Sequence, residues 1–270
     1  MLLPAFAALP ACDGGEAKPT VAQVEVSGKG KNVEVKAPKA VKDGLVELEL
    51  RYTSDGPRDA QVIRVEGDHS PEEFLKVVES EGGPIPDWIR DGGGVPQTDP
   101  GQTSSATQSL QGGNYFVVSA PAGEGEPATA ELKVESGGRE GRLPEASAEI
   151  VASEYAFDVK GLKAGKNKVL FRNDGQELHH AVGAPLRPGK TLDDVRRFSE
   201  QMGGRGRPSG SPPIDERAGF STAVIDGGVE QVIDLNVKKP GRYAVMCFIQ
   251  DRRGGPPHVM KGMLKEIQVK

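Results

Sequence analysis

The sequence predicts an all-β protein made of two tandem β-sandwiches, each with one short helix inserted. Three observations support this fold class: short segments alternate apolar and polar residues, similar motifs recur in both halves, and each half has one segment with helix-start signals. Alternation with a period of two is typical of strands that bury one face in a core. It is clearest in residues 21–26, 45–50 and 229–235. Turn signals such as Asp-Gly and Lys-Pro-Gly separate these segments, which favours sandwiches.

The two halves of the chain repeat the same motifs in the same order. The segment GNYFVVS in the first half is echoed by GRYAVMC in the second, and RYTSDG is echoed by FRNDG. Such internal similarity indicates two copies of one structural unit. We therefore predict domains at 20–136 and 145–270, joined by a Gly-rich, charged linker at 137–144.

One helix is expected in each half. Ser70 and Thr191 are residue types that cap helix N-termini, and acidic residues follow both. Such acidic residues suit the positive end of the helix dipole. The helices are predicted to run to about Ser80 and Met202, where Gly- and Pro-rich stretches follow.

Composition narrows the choice of chemistry. The 270-residue chain has 34 basic and 39 acidic residues, a formal net charge of −5, which argues against nucleic acid as its main partner. It contains only four His and two Cys. Any metal or redox site must therefore draw on a short list of side chains.

The N-terminal stretch has the pattern of an export signal. Residues 1–12 are apolar up to Cys12, and the chain then becomes abruptly polar. Leu-Pro-Ala-Cys at 9–12 resembles the cleavage box of bacterial lipoproteins, which implies lipid on Cys12, a flexible tether at 13–19 and attachment to a membrane. The protein is then expected in the periplasm or at the cell surface. The alternative is a disordered apolar terminus with an incidental cysteine.

Most of the ligand-type side chains lie in the second half. His179 follows a strand and turn, Cys247 ends a strand, and His258 and Met263 follow in the C-terminal segment. If Cys12 carries lipid, Cys247 has no disulfide partner, which favours metal ligation for an exported protein. Two imidazoles, a thiolate and a distant thioether are the ligand set of blue-copper sites. The alternative is that each is an ordinary core or surface residue.

Three motifs together resemble the cupredoxin family, as in plastocyanin, pseudoazurin and nitrite reductases. They are Asn-x-Gly-x-x-x-His, a strand ending in Tyr-x-x-x-Cys, and His-x-x-x-Gly-Met before a final strand. The resemblance implies a Greek-key sandwich that binds one copper ion per chain, cycling between Cu(I) and Cu(II). It implies Cys247 as the thiolate ligand, His179 and His258 as imidazole ligands, Met263 as the axial ligand, and Asn173 as the residue that holds the loop around His179.

Two ligand positions have alternatives. His180 competes with His179, although successive residues of a strand point to opposite faces. Met260 competes with Met263, but Met263 follows a glycine at the spacing the family uses. We favour His179 and Met263.

The first half lacks this ligand set. Ser119 stands at the position of Cys247 and Ala60 at about that of His179, while His69 lies beside the predicted helix cap. The first half is therefore expected to be a metal-free copy that packs against the second half, recognises a partner, or spaces the site from a membrane.

The function expected from these observations is one-electron transfer to or from a redox partner protein. The alternatives are a copper carrier or store with the same ligands, and a metal-free interaction module. Catalysis by a second copper centre is not expected, because Cys247 is flanked by Met246 and Phe248 and too few histidines remain. Basic residues near the site would favour an acidic partner, or they are simply solvated. These are Arg252, Arg253, Lys261 and Lys265.

Overall fold

A computed structural model describes residues 18–30, 32–79, 83–121, 126–202 and 210–270. The predicted all-β class with two short helices is confirmed. The predicted signal at 1–12, its Cys12 and most of the tether at 13–19 lie outside the described residues.

The elements follow one another in a similar order in the two halves. The first half contains β1 (Thr20–Ser27), β2 (Glu34–Lys36), β3 (Ala40–Tyr52), β4 (Arg58–Val65), α1 (Pro71–Glu79), β5 (Ile89–Thr98), β6 (Thr103–Leu110), β7 (Gly113–Ser119) and β8 (Ala128–Arg139). The second half contains β9 (Ala148–Ser153), β10 (Ala156–Lys160), β11 (Gly165–Asn173), β12 (Val182–Pro185), α2 (Leu192–Met202), β13 (Phe220–Ser221), β14 (Glu230–Val237), β15 (Gly241–Met246) and β16 (Leu264–Val269). Short 3-10 helices span Glu216–Ala218 and His258–Lys261. Strand β8 runs three residues into the predicted linker at 137–144.

The helix starts depend on the residues singled out in the sequence. The Ser70 Oγ accepts a hydrogen bond from the Glu73 backbone N–H (3.3 Å), and the Glu73 carboxylate accepts one from the Ser70 N–H (3.0 Å). Thr191 and Asp194 exchange the same pair of bonds at the start of α2. These reciprocal caps pair backbone N–H groups that the helix itself leaves without partners.

The strands form two sheets in the described part of the chain. A twelve-stranded sheet has the order β10-β9-β11-β14-β6-β3-β8-β7-β4-β5, with β1 and β2 attached through β3. The smaller sheet has the order β13-β12-β15-β16. Strand β14 of the second half pairs antiparallel with β6 of the first, so the large sheet runs through both halves.

Alternating burial explains how the strands line a core. Along β1 every second residue from Ala22 to Val26 is buried, as the alternation at 21–26 predicts. Strands of both sheets contribute to one hydrophobic cluster, in which Phe171 from the large sheet packs with Val245 and Tyr243 from the small one.

One tyrosine contact is repeated in the two halves. The Tyr115 hydroxyl donates to the Gln111 carbonyl (2.9 Å), and the Tyr243 hydroxyl donates to the Lys239 carbonyl (2.7 Å). Both bonds span four residues at the start of corresponding strands, β7 and β15.

No helix in the described residues has the length and apolarity needed to cross a bilayer.

Candidate metal centre

Two imidazoles and one thiol converge at the end of the small sheet. The Cys247 Sγ lies 3.8 Å from the His179 Nδ1 and 3.6 Å from the His258 Nδ1, and the two Nδ1 atoms are 3.1 Å apart. All three residues are fully buried. Among the described residues, this is the group of three or more His, Cys, Asp or Glu side chains arranged to hold a metal ion.

The backbone at the C-terminal end holds Cys247 and His258 close together. Strand β15 ends just before Cys247, whose carbonyl accepts a hydrogen bond from the Val259 N–H (2.7 Å). The His258 N–H donates to the Ile249 carbonyl (2.8 Å). These bonds tie the two ends of the loop at 248–257 together, so both ligand-type side chains enter the site from one fixed segment.

His179 enters the site from a separate segment, which lies just before β12, the strand that pairs with β15. Its backbone exchanges two hydrogen bonds with Ile225, at 3.1 and 2.9 Å. The buried Asn173 side chain donates to the carbonyls of Glu177 (2.7 Å) and Ile225 (3.1 Å) and accepts from the Gly175 N–H (2.9 Å). Asn173 thus closes the turn that leads to His179.

A carboxylate orients the second imidazole. The His258 Nε2 lies 2.9 Å from the Asp251 Oδ1, so the imidazole donates its Nε2–H there and leaves the Nδ1 lone pair facing Cys247. Asp251 also accepts hydrogen bonds from the Tyr155 hydroxyl (3.1 Å) and the Lys261 ammonium. Asp251 was not among the site residues predicted from the sequence. The only signal was a carboxylate within the loop between Cys247 and His258.

Burial sets the protonation states of the three groups. It lowers the pKa of His179 to about 4, with a further contribution from neighbouring His258. It also lowers the pKa of His258, although the hydrogen bond to Asp251 acts in the opposite direction. Burial raises the pKa of the Cys247 thiol to about 11. At neutral pH both imidazoles are therefore neutral and able to bind a metal, while the thiol must lose a proton to do so.

The separations fit a bound metal ion. A triangle with these three sides has its centre about 2.0 Å from each corner, close to the bond lengths of about 2.0–2.1 Å for imidazole and 2.3 Å for thiolate on zinc. Two imidazoles and one thiolate form the trigonal donor set of blue-copper sites. Hard cations such as Mg²⁺ and Ca²⁺ prefer oxygen ligands.

The remaining predicted residues are divided between this site and its surroundings. Buried Met263 packs in the same hydrophobic cluster as Cys247. The Cys247 N–H donates a hydrogen bond to the Met263 carbonyl (3.4 Å). Met260 packs against a different cluster, near Val195 of α2. His180 is outside the three-residue group, and its Nε2 accepts a hydrogen bond from the Phe248 N–H (2.9 Å).

The corresponding region of the first half has different chemistry. Ser119 and Ala60 are buried, and the Arg58 guanidinium donates to the Ser119 carbonyl (3.1 Å). A buried guanidinium beside Ser119 disfavours a metal cation there. His69 stacks on Trp88, with ring centroids 4.0 Å apart.

Comparisons with known proteins return structural matches only. No protein-family model and no curated protein matches the chain. Reduced auracyanin from the photosynthetic bacterium Roseiflexus castenholzii is 21% identical, over 45% of this chain and 94% of that one, with a TM-score of 0.29. Auracyanin B is 19% identical, over 45% and 86%, with a TM-score of 0.28. A copper nitrite reductase from Nitrosomonas europaea is 14% identical over 94% of both chains, with a TM-score of 0.25.

The chain resembles cupredoxins. This resemblance rests on the site and not on the degree of overall similarity. The donor atoms of the buried His179, Cys247 and His258 meet as a blue-copper ligand set requires.

Proposed function

We propose that this protein is a mononuclear type 1 copper protein that transfers single electrons. The observation that carries the proposal is the buried triangle formed by the His179 Nδ1, the His258 Nδ1 and the Cys247 Sγ. These side chains would hold the ion, with Met263 as the weak axial ligand. The copper would supply a Cu(I)/Cu(II) couple, whose potential the axial sulfur and the apolar surroundings adjust.

The protein's own contribution is to hold its ligands in place before metal arrives. Asp251 fixes the ring of His258, and the hydrogen bonds with Ile225 fix the backbone of His179. Ligands held in this way move little when the charge of the ion changes, which favours rapid electron transfer.

Burial of the donor residues favours electron transfer over copper transport. The three donor residues are fully buried, and the partly buried Asp251 lies over the far edge of the His258 ring. A carrier must expose its metal to an incoming ligand, whereas an electron can cross a closed protein shell. A reversible reduction potential without copper loss is the expected distinguishing result.

We further propose that the protein is not an enzyme with a second copper centre. His69 and His180, the histidines outside the cluster, are engaged with Trp88 and with the Phe248 backbone. Neither contributes to a second group of ligands in the described residues.

Export and lipid attachment at Cys12 are part of the same proposal. They are supported by the apolar stretch and the Leu-Pro-Ala-Cys box at 9–12. Labelling of the full chain with a radioactive fatty acid in a bacterial host, and loss of the label in Cys12→Ser, would test them.

The central test is an anaerobic Cu(II) titration of a soluble form that starts after Cys12. We expect one copper per chain, an intense thiolate-to-copper absorption band and the matching electron paramagnetic resonance signal. Cys247→Ser should abolish the band, and the control His69→Asn should keep it. Absence of stoichiometric binding, or a band that survives Cys247→Ser, would instead favour a metal-free interaction module.

A further inference from the structure

The loop between Cys247 and His258 is held by the first half of the chain. The Ile85 N–H donates to the Arg252 carbonyl (2.7 Å), and the Arg252 guanidinium donates to the Ile89 carbonyl (3.0 Å). The Gln250 side chain donates to the Gly83 carbonyl. Three hydrogen bonds therefore join the first-half segment at 83–89 to Gln250 and Arg252 of the ligand loop.

Arg252 also connects this loop to the segments around His179. Its backbone N–H donates to the Glu177 carboxylate (2.7 Å), and its guanidinium pairs with Asp226 at 2.6 Å. Both side chains of the Arg252–Asp226 pair are largely buried, with 13% and 15% exposed. A buried, hydrogen-bonded pair of this kind restricts position much more than an exposed one.

The first half reaches the His179 side by a second route. Ile225 bridges His179 on one side and Gly92 of β5 on the other. Beside it, the Gln61 side-chain amide exchanges two hydrogen bonds with the Val224 backbone, both 2.7 Å long. The strand partner of His179 is thus itself held by β4 and β5.

We propose that the first half is a brace for the metal centre of the second half. Ile85 and Arg252 are positioning residues: they touch no ligand atom, but they set where the loop presents Cys247 and His258. This inference rests on the proposed copper function and gives the metal-free copy a task within it. Bracing affects metal binding because the loop carries Cys247 and His258. A change in loop position would alter the distances between the Cys247 Sγ, the His258 Nδ1 and the His179 Nδ1.

Two variants each remove a different set of the hydrogen bonds that form the brace. Ile85→Pro deletes the N–H that bonds to the Arg252 carbonyl, while Ile85→Ala truncates the side chain further and keeps that N–H. Arg252→Gln breaks the guanidinium contacts, while Arg253→Gln removes the same charge from the exposed neighbouring position. Circular dichroism establishes that each variant is folded.

The first measurement uses the copper-loaded protein. Loss of groups that hold metal ligands typically costs about 10–100-fold in metal affinity. We expect Ile85→Pro and Arg252→Gln to release copper to a chelator faster by a factor in that range and to shift the thiolate-to-copper band. Ile85→Ala and Arg253→Gln should behave like the wild-type protein.

The second measurement needs no metal. In the copper-free protein, hydrogen–deuterium exchange at 248–257 should be faster by about two- to tenfold in Ile85→Pro, the effect of losing one hydrogen bond. Unchanged exchange and unchanged copper release in both variants would overturn the brace while leaving the copper function intact. A wild-type protein without a thiolate-to-copper band would overturn the copper function, and the exchange result would still decide whether the first half holds the loop.

Discussion

Replacing Asp251 by Ala should weaken both the fold and the metal centre, because Asp251 is the hydrogen-bond acceptor for the fully buried His258 ring. The substitution leaves the Nε2–H without this partner and removes the group that keeps the Nδ1 lone pair turned towards Cys247. The other two donors to Asp251 are partly exposed, so the Tyr155 hydroxyl and the Lys261 ammonium can turn to water.

The expected loss of unfolding free energy follows from how deeply each donor to Asp251 is buried. An unpaired buried donor costs about 1–3 kcal/mol, whereas the partly exposed ion pair with Lys261 contributes about 1 kcal/mol or less. We therefore expect the copper-free protein to lose about 2 kcal/mol of unfolding free energy. For a chain of this size that corresponds to a fall in Tm of about 4–8 °C. Copper affinity should fall by about 10–100-fold.

The assay combines thermal unfolding of the copper-free protein with competition for copper against a chelator. Asp251→Asn retains an oxygen acceptor and should recover most of both losses. Asp193→Ala is the matched control, because it removes an exposed carboxylate paired with Arg196 and should change stability by under about 0.5 kcal/mol. If Asp251→Ala matched Asp193→Ala in both Tm and copper affinity, the role given to Asp251 would be refuted.

Three further predictions concern single residues of the site. The copper-free protein should lose stability as the pH falls from about 6.5 to 4, with up to about 3 kcal/mol of the loss due to His179, because the unfolded chain protonates this residue first; His179→Gln should remove that part of the pH profile of urea unfolding and leave the part due to His180, whose pKa burial also lowers to about 4. Met263→Leu should raise the reduction potential in voltammetry, because loss of a weak donor destabilises Cu(II) more than Cu(I), whereas Met260→Leu should leave the potential unchanged. Asn173→Ala should lower the urea-unfolding free energy by about 3 kcal/mol, since three hydrogen bonds are lost, and a change below about 1 kcal/mol would contradict that role.

Local patterns in the sequence were sufficient for several strands, both helices and the candidate ligands. The alternation at 21–26 corresponds to β1, the motif GNYFVVS to β7, and the cap signals at Ser70 and Thr191 to the starts of α1 and α2. These features depend on side-chain period and on backbone hydrogen bonds between near neighbours. The candidate ligands could be chosen because the chain contains so few His and Cys residues.

The tertiary structure alone decided how those parts come together. The pairing of β14 with β6, the contact of Asp251 with His258, and the bonds from Ile85 to Arg252 join segments that have no shared local pattern. Pairing across the two halves depends on which strand edges meet when the whole chain packs, and a single carboxylate in a loop resembles any solvated charge until its partner is known. The sequence by itself therefore determined which residues are able to form a metal centre, whereas long-range packing determined that their donor atoms meet and that the first half contacts the loop between them.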